Sequence, residues 1–308
     1  RGNSNRRLEN IASVSRSSGL EKDGDALKDL KTQEEYRDFI QNKLESYWKH
    51  PTRELEENLL ILFRKLREGI VSSKRNDSFS TEVNESSLYL ATLFNSPRQL
   101  GSILPHFVTH PSTFQSSSVN AILAVLLNQL ILSYPSQTLY RQSLYPISKS
   151  FFQTSSKTYN WITNISSSLS TRNFSKFEKL TRRSSFASIL EDSTPESLSD
   201  GLGALSISSS NQTPNRELAR KALYHAVQLL RARVRDSVWS IIRSSYRELS
   251  CNADSGTRDW LIRSLFLNTA DSEDDSGISL DNWLEQKEVE GHIRPKENIA
   301  GRWIVRKV

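Results

Sequence analysis

Apolar residues recur at three- and four-residue spacing along most of this chain, the period of a helix that buries one face. Over residues 32–49, Tyr36, Phe39, Ile40, Leu44 and Tyr47 fall on one side. Thr32 with Glu35 three positions on reads as a capping box at the start. His50-Pro51 closes the segment, because the residue before a proline is pushed out of helical backbone. A second helix over 52–71 begins at Thr52, carries Leu55, Leu59, Leu62, Phe63, Leu66 and Ile70 inward, and has Gly69 near its end. Further helices are predicted over 84–95, 97–104, 117–133, 137–153, 156–169 and 172–190. No alternating apolar and polar run before residue 290 is long enough for a sheet. Residues 32–190 therefore predict a helical-repeat (TPR-like) solenoid of antiparallel helices in irregular repeats.

Two stretches lack any period. Residues 1–31 are polar and read as a flexible arm, and 191–215, rich in Ser, Gly, Pro and Asp, as a disordered linker or insert. The segment 216–308 has a clearer order. A long helix or tight pair over 216–249 carries Leu223, Val227, Leu230, Val234, Val238, Ile241 and Ile242 as its apolar stripe. A loop over 250–255 leads to a helix capped by Thr257, with Trp260, Leu261, Leu265 and Phe266 inward. An acidic loop, 271–277, precedes a third helix with Leu280, Trp283, Leu284 and Val289. Two short strands follow, Ile293 in the first and Trp303, Ile304 and Val305 in the second, with Gly291 and Gly301 suited to turns. Helix, helix, helix, strand, turn, strand is the order of a winged helix. The fold class read here is mainly α, a solenoid ending in a winged helix.

That order resembles the PCI domain, a helical solenoid running into a winged helix. Within it, the chain is most similar to the germinal-centre-associated nuclear protein group. Three segments carry the resemblance. Residues 169–180 (LSTRNFSKFEKL) match a short helix, a basic turn and two aromatics spaced F-x-x-F. Residues 230–246 (LRARVRDSVWSIIRSSY) match an arginine-rich helix start leading to an aromatic end, and 301–307 (GRWIVRK) looks like the closing wing strand. The resemblance implies a non-enzymatic nuclear scaffold, present also in the cytoplasm, that couples transcription to mRNA processing and export. It implies a second PCI subunit as partner, packed winged helix to winged helix, a small acidic protein clamping the helices, and RNA or DNA on basic patches. The alternative it leaves open is a protein-binding structural subunit of a proteasome lid, signalosome or translation-initiation assembly.

Composition narrows the chemistry. A hydrophobic share of 36%, a charged share of 25% and a mean hydropathy of −0.53 describe a lean core. The longest apolar run, Ala121 to Leu132, is interrupted by Asn128 and Gln129 and is too short to span a membrane. No basic segment followed by an apolar one opens the chain, so no secretory signal is expected. Serine makes up about one residue in six and gathers in the breaks between helices. The single Cys251 excludes an intrachain disulfide and has no histidine close in sequence, so it reads as a bystander thiol. His106 and His110 stand four apart, but Pro105 and Pro111 bracket them and no acidic residue is near. Gly201 and Gly203 lack the strand and lysine of a phosphate loop, and Asp274 and Asp275 sit in a solvated loop. No catalytic group, cofactor or metal is expected.

The basic residues are more informative than the formal net charge of +6. Arg172, Lys176, Lys179 and Arg183 read as one stripe along a helix. Arg231, Arg235, Arg243 and Arg247 make a second set, and Arg294, Lys296, Arg302, Arg306 and Lys307 a third in the wing. Each phosphate neutralised by such a set releases a counterion, which gives strong salt dependence and little sequence preference. The third helix is acidic, with Asp281, Glu285, Glu288 and Glu290 against Lys287, and so is a poor major-groove reader. Trp283, Trp303 and Ile304 are candidate partner contacts, with core as the default place for each tryptophan. Arg182-Arg183-Ser184-Ser185 has the look of a phosphorylation site for a basophilic kinase.

Overall fold

The structure, a computed structural model, describes residues 8–9, 11, 26–109, 118–150, 156–192, 212–252, 255–268, 278–297 and 299–307. The proposed arm, the insert and the acidic loop lie wholly or largely outside these. The described residues are mainly helical, with one small antiparallel sheet. They form two compact units, one from the described parts of 1–125 and 204–222, the other from those of 126–203 and 223–308.

The first unit opens with α1 (Leu30–Lys49), α2 (Arg53–Ser72), α3 (Ser78–Leu93) and α4 (Pro97–Thr109), each packed on the next. The start of α1 corrects the sequence reading. Asp29, not Thr32, is the N-cap, and its carboxylate accepts from both Thr32 N (2.9 Å) and Thr32 Oγ1 (2.8 Å). A charged acceptor next to the positive helix end outcompetes a hydroxyl. Thr52 caps α2 as its sequence predicts, accepting from Leu55 N at 3.3 Å. Gly69 does not end α2. It lies within the helix because the backbone of Leu27 crosses it, and a Cβ there would stand 2.7 Å from Leu27 O. Helix α3 starts six residues before the expected 84, where Asp77 and Ser80 form a reciprocal capping box. The serine-rich start of α3 reads as loop because serine competes for backbone hydrogen bonds in most contexts. Helix α4 continues through Pro105 rather than ending before it.

Helix α5 (Val119–Ser133) is buried continuously from Ala121 to Leu130. Its N-terminus receives a buried carboxylate. Glu85, 6% exposed, accepts from Ser118 N at 2.6 Å and Ser118 Oγ at 3.0 Å, with Tyr89 Oη at 3.4 Å. Burial nonetheless raises the Glu85 pKa above the usual carboxylate range, outweighing those hydrogen bonds.

In the second unit, α6 (Thr138–Ser150) and α7 (Ser156–Ser170) precede two short helices, α8 (Phe174–Leu180) and α9 (Arg183–Asp192). The single helix expected over 172–190 is therefore broken at Thr181 and Arg182. Thr181 is buried, caps the C-terminus of α8 and bonds Phe177 O through its hydroxyl at 2.9 Å. Trp161, Phe186 and Tyr224 stack in sequence at 5.0 and 5.1 Å between ring centres.

The long helix α10 (Gln212–Ser245) leads into β1 (Glu248–Ser250), α11 (Gly256–Ser264), α12 (Leu280–Val289), β2 (Ile293–Pro295) and β3 (Arg302–Val305). The strands form one antiparallel sheet in the order β1-β3-β2, with Leu249 opposite Trp303 and Ile293 opposite Val305. Strand β1 overturns the expectation of no strand before residue 290. Three residues with one buried side chain, Leu249, are too few to show an alternating pattern. Leu249, Ile293 and Val305 face inward and are buried, with Trp303 half-buried beside them. Trp239 of α10 meets Trp283 of α12 edge-on at 4.7 Å, and Arg258 of α11 is bidentate to Asp281 of α12. Two residues given inward places are outside: Ile241 is 41% and Val289 89% exposed.

The two edges of the sheet differ. Lys296 N donates to Arg302 O and Arg306 N to His292 O, so residues 292, 294 and 296 turn their backbone toward β3. Pro295 therefore turns outward, and it has no N–H to offer there. On the other side, Cys251 N donates to Gly301 O and Val305 N to Arg247 O, leaving the backbone of Glu248 and Ser250 outward.

Candidate nucleic-acid interface

The three basic sets meet different fates. Arg172 precedes α8 with a left-handed backbone (φ 54°), and Asn173 caps that helix by accepting from Lys176 N. Arg172, Lys176 and Lys179 are exposed, and Lys176 Nζ donates to Asn164 Oδ1 at 2.8 Å. Arg183 is not on their helix. It opens α9, so the expected four-residue stripe becomes a group of three plus one half-buried arginine.

The α10 set needs the larger correction. Arg231 is 1% exposed, and its guanidinium donates to Thr181 O (3.0 Å), Thr181 Oγ1 (3.1 Å) and Asn268 O (2.8 Å). Arg235, half-buried one turn later, donates to Leu265 O (2.6 Å) and Phe266 O (2.9 Å). Thr181 and Leu265 are the C-caps of α8 and α11. The two arginines thus supply donors to carbonyls that helix geometry leaves without partners, at the negative ends of two helices. They hold the fold and are not a nucleic-acid surface. Burial pulls the Arg231 pKa down to about 10 and lowers that of Arg235. Arg243 is half-buried and donates to Arg306 O from Nε (3.2 Å) and Nη2 (3.1 Å), anchoring the end of β3. Arg247 is exposed.

The third set gathers. Strand pairing puts Glu248, Ile304 and Arg294 side by side, with Arg302 two residues along on the same face. Lys296 reaches across to Glu248 at 2.7 Å. That bond, with Arg302 nearby, holds the Glu248 carboxyl below its ordinary range. Arg294, Arg302, Arg306 and Lys307 are exposed, and the first three fall on this sheet face, which presents several cations to one carboxylate. Ile304, half-buried, sits among them. Trp303 lies on the opposite, inner face, and Trp283, 4% exposed against Trp239, is core. Of the three candidate partner contacts, only Ile304 lies on the outer face of the sheet. Helix α12 carries the opposite charge, with Glu285, Glu288 and Glu290 exposed.

The one thiol is not poised for covalent chemistry. Cys251 is 5% exposed, and burial pushes its thiol up to about 11. Among the described residues, no group of three His, Cys, Asp or Glu side chains could hold a metal ion. His110, Gly201, Gly203, Asp274 and Asp275 lie outside the described residues. No helix among those described is long and apolar enough to cross a membrane. Sequence reasoning missed the helix-capping role of Arg231 and Arg235. Their four-residue spacing along an apolar stripe, next to Leu230 and Val234, was the available signal. Comparison with family models, with characterised proteins and with solved structures finds no match to this chain.

Proposed function

We propose that this chain is a non-enzymatic scaffold of the PCI type, acting in a nuclear complex that couples transcription to mRNA processing and export. It pairs with a second PCI subunit and binds RNA or DNA through the outer face of its terminal sheet. One observation supports the reading: the connectivity α10-β1-α11-α12-β2-β3 with sheet order β1-β3-β2 agrees with the element order expected of a winged helix appended to helices. The contact surface is Arg247, Arg294, Arg302, Arg306 and Lys307, which would grip phosphates without reading bases. Arg172, Lys176 and Lys179 form a second, separate basic group. The acidic face of α12 points away from duplex reading and suits a protein neighbour.

The test is salt-titrated binding of the full chain to single-stranded RNA and to duplex DNA. Replacing Arg302, Arg306 and Lys307 with Gln removes three phosphate contacts and should lower the magnitude of the log K against log salt slope by about 2 for a single strand. Undetectable binding at ~50 mM salt, where phosphate contacts are strongest, would leave the protein-binding lid, signalosome or initiation-factor reading in its place. An unchanged slope in the triple variant would move the site off the wing.

A further inference from the structure

Among the aromatic side chains described from residue 212 onward, Tyr246 alone is exposed, at 45%. Tyr224, Trp239, Phe266 and Trp283 are buried, and Trp260 and Trp303 are half-buried. Tyr246 follows the last turn of α10, and the chain is tied down on both sides of it. Arg243, three residues earlier, donates to Arg306 O from Nε (3.2 Å) and Nη2 (3.1 Å). Val305 N donates at 2.9 Å to the carbonyl of Arg247, one residue later. The end of α10 is thereby joined to the end of β3, and Tyr246 stands between the two ties. Its ring meets that of Trp260 on α11 at 5.6 Å between centres, tilted by 59°.

Packing does not account for a ring in this position. A tyrosine or tryptophan that serves a core is covered, and its polar tip finds a partner there. Tyr246 is braced but uncovered, and neither its Oη nor Trp260 Nε1 makes a hydrogen bond among the described residues. Cations surround it. Arg247 is the next residue, Arg306 and Lys307 lie at the strand end to which it is tied, and all three are exposed. Two carboxylates lie near in sequence: Glu248, held by Lys296 at 2.7 Å, and Asp259, exposed beside Trp260. A braced aromatic face among cations suits a ligand that has both phosphates and flat rings. Bases in a duplex are covered by their stacked neighbours, whereas a single strand can turn a base face outward.

We propose that the terminal sheet takes single-stranded nucleic acid, with one base stacked on Tyr246, Trp260 bracing that ring, and the flanking phosphates on Arg247, Arg306 and Lys307. The inference rests on the phosphate-contact reading of the sheet face given above and adds to it the form of the strand. Stacking of this kind is indifferent to base identity, because every base has a π-face. The cations supply attraction to any polyanion, and the tyrosine supplies the preference for an unpaired strand.

The test is fluorescence anisotropy of the full chain with three labelled probes of equal length: a single strand, its duplex, and an abasic strand that keeps the phosphates but has no bases. The set is made in RNA and in DNA, and the tighter of the two single strands identifies the sugar preferred. The single strand should bind at least about fivefold more tightly than the abasic strand. Tyr246→Ala should remove that difference and leave the slope of log K against log salt unchanged, because no phosphate contact is lost. Tyr246→Phe, which keeps the ring, should retain the difference. Equal affinity for the single and abasic strands, or a difference that survives Tyr246→Ala, would overturn the stacking and leave the phosphate reading intact. The abasic comparison uses the natural chain, so it decides the matter even where a variant folds poorly. Undetectable binding of every probe at ~50 mM salt would overturn both.

Discussion

Arg231 ends α8 and Arg235 ends α11, although both belong to α10. Removing the Arg231 guanidinium would leave the buried Thr181 carbonyl and the Asn268 carbonyl without those donors. Arg231→Met should therefore cost about 2–4 kcal/mol by urea denaturation, whereas Lys176→Met, at an exposed position, should change stability by less than about 0.5 kcal/mol. Gly301 is equally constrained. Its φ is 72°, and an added Cβ would stand 2.1 Å from Asn252 Oδ1. Gly301→Ala should destabilise by about 1–3 kcal/mol, read in the same assay. Glu85 makes a pH prediction. Its folded pKa is raised, so its contribution to stability is fully present below the unfolded carboxylate value and is lost as pH rises through the folded one. Asp29, Asp77 and Asp281 are lowered and act in the opposite sense, contributing above their unfolded values and losing that contribution as pH falls. Subtracting the stability curve of Glu85→Gln from that of the natural chain isolates the Glu85 share. The difference should decline from pH ~4.5 towards neutrality.

At the scale of elements, caps decide where helices begin. Asp77 closes a box with Ser80, and Asp77→Ala should cost about 1 kcal/mol, seen as a lower urea midpoint. Helix existence followed from the apolar period of Tyr36 to Tyr47 and of Leu59 to Ile70, because burial repeats every turn. Helix boundaries did not follow so well. Asp29 and Thr32 are both competent caps, and only the three-dimensional partner of each separates them. The interruption at Thr181 was hidden for a related reason. Phe174, Phe177 and Leu180 keep helical spacing up to the break, and no glycine or proline marks it. Strand β1 was hidden by its length, since its three residues bury one side chain and rely on β3 for the pairing. The exposed cations Arg294, Arg302, Arg306 and Lys307 were readable because they flank turn residues. Charge alone points Arg231 and Arg235 to the surface, while their apolar neighbours Leu230 and Val234 mark the buried side of α10.

For the molecule as a whole, the net charge of +6 is a poor guide to its surfaces. The outer sheet face is basic, α12 is acidic, and two of the arginines counted in the total are consumed inside. If Arg247, Arg294, Arg302, Arg306 and Lys307 each meet one phosphate, the expected slope for a single strand is about −3.5, and raising salt from 50 to 200 mM should weaken binding roughly 100-fold. A change below about tenfold would mean that most of the five do not touch the backbone.

Pro295 gives the terminal sheet a direction. A strand arriving beside β2 meets, at Pro295, a position with no donor, whereas one arriving beside β1 meets the outward N–H groups of Glu248 and Ser250. Addition at β1 uses the edge of each copy that keeps its backbone donors. Pairing by that route closes after a single step, so the same residue that limits where a partner strand can lie also keeps such sheets from growing into fibres.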